Sequence, residues 1–146
     1  MIGLVQRVAE ASVTVGQAVV GAIGPGLVVL VCAEPADGEA QAAKFVDKLL
    51  ALRIFADDAQ RMNRSLVQVG GGLLLVSQFT LAADTRGGNR PSFSAAAPPP
   101  QARVLYERVL ALARARHHPV QAGVFGAHMR LQLVNDGPVT IPLVVR

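Results

Sequence analysis

The chain has 146 residues, of which 51% are hydrophobic and 16% charged, with a formal net charge of +4. That length fits one domain, residues 1–146, with a real core, and no apolar run approaches the roughly 18 residues needed to cross a bilayer as a helix. The lone cysteine, Cys32, excludes an internal disulfide and suits a reducing, cytoplasmic setting, while the positive balance suits a polyanionic partner.

The opening segment MIGLVQRVAEASVTV carries no charged region ahead of an apolar block and does not read as a secretory signal. Ala11, Val13 and Val15 alternate with Ser12 and Thr14, the period of a half-buried strand. Gly24-Pro25-Gly26 marks a turn. The continuously apolar LVVLVC that follows, residues 27–32, predicts a strand buried on both faces. From Asp37 the period lengthens. Asp37 is placed to cap a helix whose stripe is Ala42, Val46 and Leu49, widened by Ala43 and Leu50, with Lys44, Asp47 and Lys48 facing away.

LRIF (52–55) and LLLVSQ (73–78) return to strand character. Asp57-Asp58 reads as a solvated turn. Prolines 98–100 open a second helix, with Ala102, Leu105, Val109 and Leu112 as its apolar face. At the end, Met129, Leu131 and Leu133 alternate with His128, Arg130 and Gln132. NDGP then VTIPLVV predicts a terminal hairpin, and Pro142 moves its last strand toward an edge. The expected fold is a mixed α/β domain of mostly antiparallel strands with two main helices. Its high apolar content points to a homo-oligomer.

Chemistry is sparse. There is no G-x-S-x-G elbow, P-loop or H-E-x-x-H motif. His117-His118 at a helix end suit the helix dipole or solvent better than a metal, because no Cys or carboxylate stands at ligand spacing. The polar SQFT, residues 77–80, ends a buried strand abruptly. Such groups either bond nearby backbone or serve a ligand. A Thr80 nucleophile would lack a neighbouring base. The Gly-rich DTRGGNRPSF carries Arg86 and Arg90, residue types that fork onto phosphate; a solvated loop is the simpler reading.

Taken together, QRV, LRIF, MNRSL, LVSQFTLAADTRGGNRPSF, FGAHM and LVNDGPVT resemble the bacterial D-aminoacyl-tRNA deacylases, also called D-tyrosyl-tRNA deacylases, nearly end to end. SQFT with NDGPVT, in a chain of this length, is the specific part. The resemblance departs at Gln60, where Gly usually stands, at Ala122, where Thr is common, and at Pro142.

The resemblance implies a barrel-like homodimer with a cross-subunit active site. It would hydrolyse the ester of D-aminoacyl-tRNA, and glycyl-tRNA mischarged on tRNA-Ala, releasing free amino acid and tRNA. Gly137 and Pro138, joined by a cis peptide, would reach into the partner's pocket, hold the substrate ammonium by main-chain carbonyls and exclude L side chains. Arg7 would help fix that carbonyl orientation. Ser77, Gln78, Phe125, Gly126, Ala127 and Met129 would complete the substrate pocket. Phe79 and Thr80 would polarise the ester through backbone N–H groups, with the 2′-hydroxyl of the terminal adenosine assisting water; a Thr80 nucleophile is the alternative. Arg86 and Arg90 are candidate tRNA contacts. No metal, cofactor, membrane or DNA partner is expected. Two other classes remain open: a related editing module, like that clearing L-serine in archaeal threonyl-tRNA synthetases, and a non-catalytic RNA-binding protein.

Overall fold

The computed structural model describes residues Met1–Arg146. Its elements run β1 (Ile2–Val15), β2 (Ala18–Ile23), β3 (Gly26–Cys32), α1 (Glu39–Ala51), β4 (Arg53–Ala56), β5 (Met62–Ser65), the single-turn α2 (Leu66–Val69), β6 (Gly72–Ser77), a 3-10 turn (Phe79–Ala82), α3 (Pro99–Arg116), β7 (Val120–Ala122) and β8 (Met129–Val144). The main sheet follows the order β2-β1-β3-β6-β7, with β8 beside β1 and with β4-β5 as a separate ribbon. Strand β1 serves two neighbours on one edge. Ile2–Val8 pairs with β3 and Ala11–Val15 pairs with β2, while β8 follows its other edge throughout. That handover curls the sheet into a mixed α/β, barrel-like arrangement. The ladders β3-β6 and β6-β7 are parallel and the rest antiparallel.

The uninterrupted apolar run of β3 has two cores to fill. Leu27, Val29 and Val31, with Leu73 and Leu75 of β6, pack on one side against Phe45, Val46 and Leu49 of α1 and Leu105 and Val109 of α3. Val28, Leu74 and Val76 point the other way, meeting Val8, Ala11, Val13 and Ile23 inside the curled sheet. Fully burying each such side chain contributes about 1.5–3 kcal/mol, so both layers favour the same register. At the start of the β3-β6 ladder the backbones nearly touch. A Cβ on Gly26 would overlap the Gly72 carbonyl, so no larger residue fits there. No helix is long and apolar enough to cross a membrane.

Two local expectations are corrected. Asp37 does not cap α1. Its carboxylate accepts from the Met1 ammonium at 2.7 Å and from the Glu34 N–H at 2.7 Å, a charge pairing stronger than a cap bond. The N-cap is Gly38, whose N–H donates to Gln41 Oε1 at 3.0 Å. The terminal hairpin does not form either. Met129–Val144 is one strand, antiparallel to β1 on both sides of an interruption at residues 136–139. Both flanks of NDGP carry inward apolar residues that β1 can pair, so the chain leaves the ladder at Asp136 and rejoins it instead of folding back. The edge role of Pro142 holds within this chain, for it pairs only toward Leu4 of β1.

Candidate functional site

The SQFT stretch stands where β6 runs out of partners. The Gln78 N–H donates to Val31 O at 2.8 Å, and the chain then tightens into the 3-10 turn of Phe79–Ala82. Strand alternation stops there. Gln78 and Thr80 still share a side, because Gln78 Nε2 donates to Thr80 Oγ1 at 2.5 Å. Thr80 is exposed and contacts no basic side chain by hydrogen bond. Phe79 is 55% exposed and meets Phe93 edge to face, with centroids 5.0 Å apart. Phe79 and Thr80 open the turn, and the first N–H groups of any helical turn lack an acceptor within it.

Behind this turn lies an apolar cavity of about 410 Å³, lined by Ser77, Gln78, Phe79, Phe93, Phe125 and Gly126 and backed by Cys32, Tyr106 and the Ala96–Pro99 segment. Cys32 is buried, and its Sγ donates weakly to Ala33 O at 3.4 Å and Phe79 O at 3.6 Å. Burial, then the negative charge of Glu34, pushes its thiol up. It therefore stays protonated and acts as packing, not as a nucleophile. Burial likewise pushes Tyr106 up to about 12, keeping the phenol neutral so that it donates to Leu75 O at 2.9 Å.

The FGAHM stretch makes the opposite wall. Gly126 turns the chain at φ +78°, and the Ala127 N–H donates to Val124 O at 3.2 Å. Phe125 leans on Tyr106, with centroids 6.0 Å apart, and the Arg103 guanidinium lies 4.9 Å over its ring. Met129 is placed behind the wall. Its Sδ accepts from the Val124 N–H at 3.3 Å, and its side chain packs against the inner core. Neither Ala127 nor Met129 lines the cavity.

The second candidate region is the interruption in β8. Gln6 pairs with Thr140 and Val8 with Asn135, so Asp136–Val139 has no partner on β1. Asn135 closes this excursion with its own side chain. Its Oδ1 accepts from the Val139 N–H at 2.7 Å, while its Nδ2 donates to Val139 O at 3.2 Å and Thr140 Oγ1 at 2.9 Å. Arg7 holds the other side, donating through Nε to Asp136 O at 2.9 Å and through Nη1 to Ile54 O at 2.6 Å. Gly137 has φ +145°, and the Gly137-Pro138 peptide is cis. A Cβ on Gly137 would come 2.7 Å from Val139 Cγ2 and 3.2 Å from Arg7 Nη2. Asp136, Gly137 and Pro138 are exposed.

The sequence-predicted residues thus fall into two groups. Ser77, Gln78, Phe79, Phe125 and Gly126 converge on one cavity, whereas Arg7, Gly137 and Pro138 sit together away from its lining, and Thr80, Ala127 and Met129 adjoin the cavity walls without lining them. The two loop arginines also differ. Asp84 grips Arg86 through Nε at 2.9 Å and Nη2 at 2.7 Å, and this pairing lowers the Asp84 carboxyl and raises the Arg86 guanidinium. Arg90 makes no ion pair within 4.0 Å. His117 donates from Nε2 to Gly71 O at 2.7 Å, a structural bond rather than a ligand position. No three His, Cys, Asp or Glu side chains group as a metal site. Sequence reasoning missed Phe93 in the lining, which lies in a loop without a period, and the rear wall of Cys32 and Tyr106, which strand and helix patterns record only as apolar positions. The clamp by Asn135 had a signal in the Asx-turn chemistry of Asn two residues before Gly.

A family model described as D-Tyr-tRNA(Tyr) deacylase matches residues 4–144. The D-aminoacyl-tRNA deacylase of Methylibium petroleiphilum is 69% identical over 145 residues, covering 99% of this chain and 95% of that protein. The protein of the same name from Azotobacter vinelandii is 62% identical over 143 residues, covering 98% and 99%. Among solved structures, the c-Myc DNA unwinding element binding protein superimposes with a TM-score of 0.95 at 39% identity, covering 100% of this chain and 99% of that one. A probable eukaryotic D-amino acid tRNA deacylase shares the fold, with a TM-score of 0.81 at 18% identity over 97% of each chain.

Proposed function

The chain belongs to the D-Tyr-tRNA(Tyr) deacylase family, a family of hydrolases, and from that premise we propose that it cleaves the ester joining a D-amino acid to the 3′ end of tRNA, working in the cytoplasm as a homodimer. The observation that carries the reading is the excursion of β8. A backbone segment is lifted out of its ladder, held from both sides by Asn135 and Arg7, and presented to solvent at Gly137 and Pro138. Its separation from the cavity of the same chain supports a pocket completed by the partner subunit.

In this reading the terminal adenosine enters beside Phe79, Phe125 and Gly126. Main-chain carbonyls of Gly137 and Pro138 from the partner subunit take the substrate ammonium. They fill the space an L side chain would need, and a backbone wall rejects every L side chain alike. Glycine has no side chain to reject, so glycyl-tRNA, including tRNA-Ala mischarged with glycine, is also a substrate. Backbone N–H groups of Phe79 and Thr80 stabilise the developing oxyanion, and the adenosine 2′-hydroxyl orients the attacking water. The protonated Cys32 and the amide-bound Thr80 hydroxyl leave no activated side-chain nucleophile at the turn.

Hydrolysis of D-tyrosyl-tRNA, L-tyrosyl-tRNA and glycyl-tRNA tests this directly. Turnover of the D and glycyl esters with the L ester spared is expected; equal turnover of D and L would remove the filter, and turnover of L-seryl-tRNA would favour the threonyl-type editing module. The name of the 39%-identical structure favours a second reading, DNA binding. Competition of duplex DNA against deacylated tRNA at fixed salt separates the two, since a deacylase needs preference for the tRNA end.

A further inference from the structure

We infer that Arg103 is a positioning residue that contacts the phosphate joining the terminal adenosine to the nucleotide before it, an inference that rests on the deacylase reading above. An adenosine seated in the cavity directs that phosphate outward to the rim. The cavity itself is largely apolar, and the ammonium of its lining residue Met1 is buried and already held by Glu34 and Asp37, so it offers an anion no free charge. The helix beside it offers little either. Pro98, Pro99 and Pro100 occupy the N-cap and first two positions of α3 and have no N–H, and the Ala102 N–H is already bonded to Pro98 O at 2.9 Å. A cation at this rim must therefore come from a side chain.

Arg103 meets that need. Its guanidinium lies 4.9 Å over Phe125, whose ring lines the cavity, and it forms no ion pair. Of the other arginines on α3, Arg108 pairs with Glu39 at 2.5 Å and Arg116 with Asp47 at 2.5 Å, while Arg114, also without an ion pair, stands about three helical turns beyond Arg103 and makes no contact with the Phe125 ring. Contact with the Phe125 face anchors the guanidinium at the rim, and its N–H groups donate to no protein acceptor, which leaves the fork for a phosphate. Arg86, by contrast, has its fork filled by Asp84.

The test compares two substrates of the full-length wild type and variants. D-tyrosyl-tRNA carries the phosphate, and D-tyrosyl-adenosine, the bare nucleoside ester, does not. Arg103→Gln should lower kcat/KM for the tRNA ester about tenfold, mainly through KM, and change the nucleoside ester less than about twofold. Arg103→Lys, which keeps the charge but loses the fork, should recover only part of the tRNA loss. The slope of log kcat/KM for the tRNA ester against log salt should become shallower by about 0.7, the value for one single-strand phosphate contact. Equal losses on both esters would mean that Arg103 only props Phe125, and would overturn the inference, as would no loss on either. If the wild type cleaves neither ester, the deacylase reading fails and this inference falls with it. If the nucleoside ester binds too weakly to be turned over, the salt slope decides alone.

Discussion

Ser77–Thr80 and Asn135–Val139 both lie where a ladder loses its pairing, but the chain leaves the ladder differently at each. At the first, β6 simply ends, and the backbone coils into a 3-10 turn over a cavity backed by Cys32, Tyr106 and the Ala96–Pro99 segment. At the second, β8 pairs with β1 on both flanks and bulges between them. The turn is shaped by tertiary packing beneath it. The excursion is shaped by one side chain, Asn135, and one guanidinium, Arg7. Geometry set by so few bonds should be sensitive to single substitutions, whereas the turn should tolerate loss of its side chains as long as the packing beneath it survives.

The largest expected effect follows at Gly137. At φ +145° an L side chain is strained by about 1–3 kcal/mol, and its Cβ would meet Val139 N at 2.9 Å and Cγ2 at 2.7 Å. Gly137→Ala should therefore push the excursion outward and lower D-tyrosyl-tRNA deacylation on the order of 100-fold, the penalty of a misplacement near 1 Å. Single-turnover rates alongside circular dichroism would check it. Wild-type activity in a folded variant would refute the steric role of this backbone. Asn135→Ala should follow, with a loss of about tenfold, because three bonds go but Arg7 still grips Asp136 O. Asn135→Asp keeps the acceptor for the Val139 N–H and should lie between the wild type and Asn135→Ala.

How far each region could be read from sequence follows the same division. The period of β3 and β6, and the stripes of α1 and α3, were legible because buried residues repeat with the element. Phe45 and Tyr106, which share those buried faces, were left out of the predicted stripes and are buried all the same. Local rules made NDGP a hairpin, since Asp-Gly before an apolar run carries no record of a strand 130 residues earlier waiting to pair with both flanks. Asp37 was misread for a similar reason, as the ammonium that captures it is remote in sequence. Gln60 shows the reverse. It stands where glycine is usual in the resembled family, and its backbone adopts φ +61°, the conformation that favours glycine. The cavity was legible only at its rim, through SQFT and FGAHM; its rear wall joins β3, the Ala96–Pro99 segment and α3, which no local pattern connects.

The packing beneath the turn can be probed at Tyr106. Tyr106→Phe removes its bond to Leu75 O, but that carbonyl keeps the Gly123 N–H at 2.9 Å, so no buried acceptor is orphaned. The cost should be about 1 kcal/mol, a fall of about 3 °C in Tm, with activity nearly unchanged. Its pH signature has a definite sign. The folded phenol ionises near 12 and the unfolded one near 10, so between those values the unfolded state holds fewer protons and stability drops as pH rises. Cys32, also raised, adds to the alkaline loss from its own range above 9.0. Urea midpoints at pH 8 and pH 11 should show a smaller drop for Tyr106→Phe than for the wild type; an equal drop would mean Tyr106 does not ionise differently on unfolding.

The smallest effect is expected at Thr80, and it separates the two regions most clearly. Thr80 contributes a hydroxyl that accepts from Gln78 Nε2 at 2.5 Å on an exposed turn, and no base stands within hydrogen-bond reach to take its proton. If the turn acts through its backbone, Thr80→Ala leaves the N–H groups of Phe79 and Thr80 in place, and kcat for D-tyrosyl-tRNA should fall less than about threefold. If the hydroxyl were the attacking group, the loss would reach about 10⁴-fold or more, because nothing else at the turn could form the acyl-enzyme. Single-turnover rates decide between these, and a 2′-deoxyadenosine-terminated tRNA carrying the ester at its 3′ end supplies the converse arm. With that substrate the wild type should lose far more activity than Thr80→Ala loses on normal tRNA, since the removed 2′-hydroxyl, not the threonine, orients the water. Full activity on the deoxy substrate, together with a dead Thr80→Ala, would assign the chemistry to the side chain.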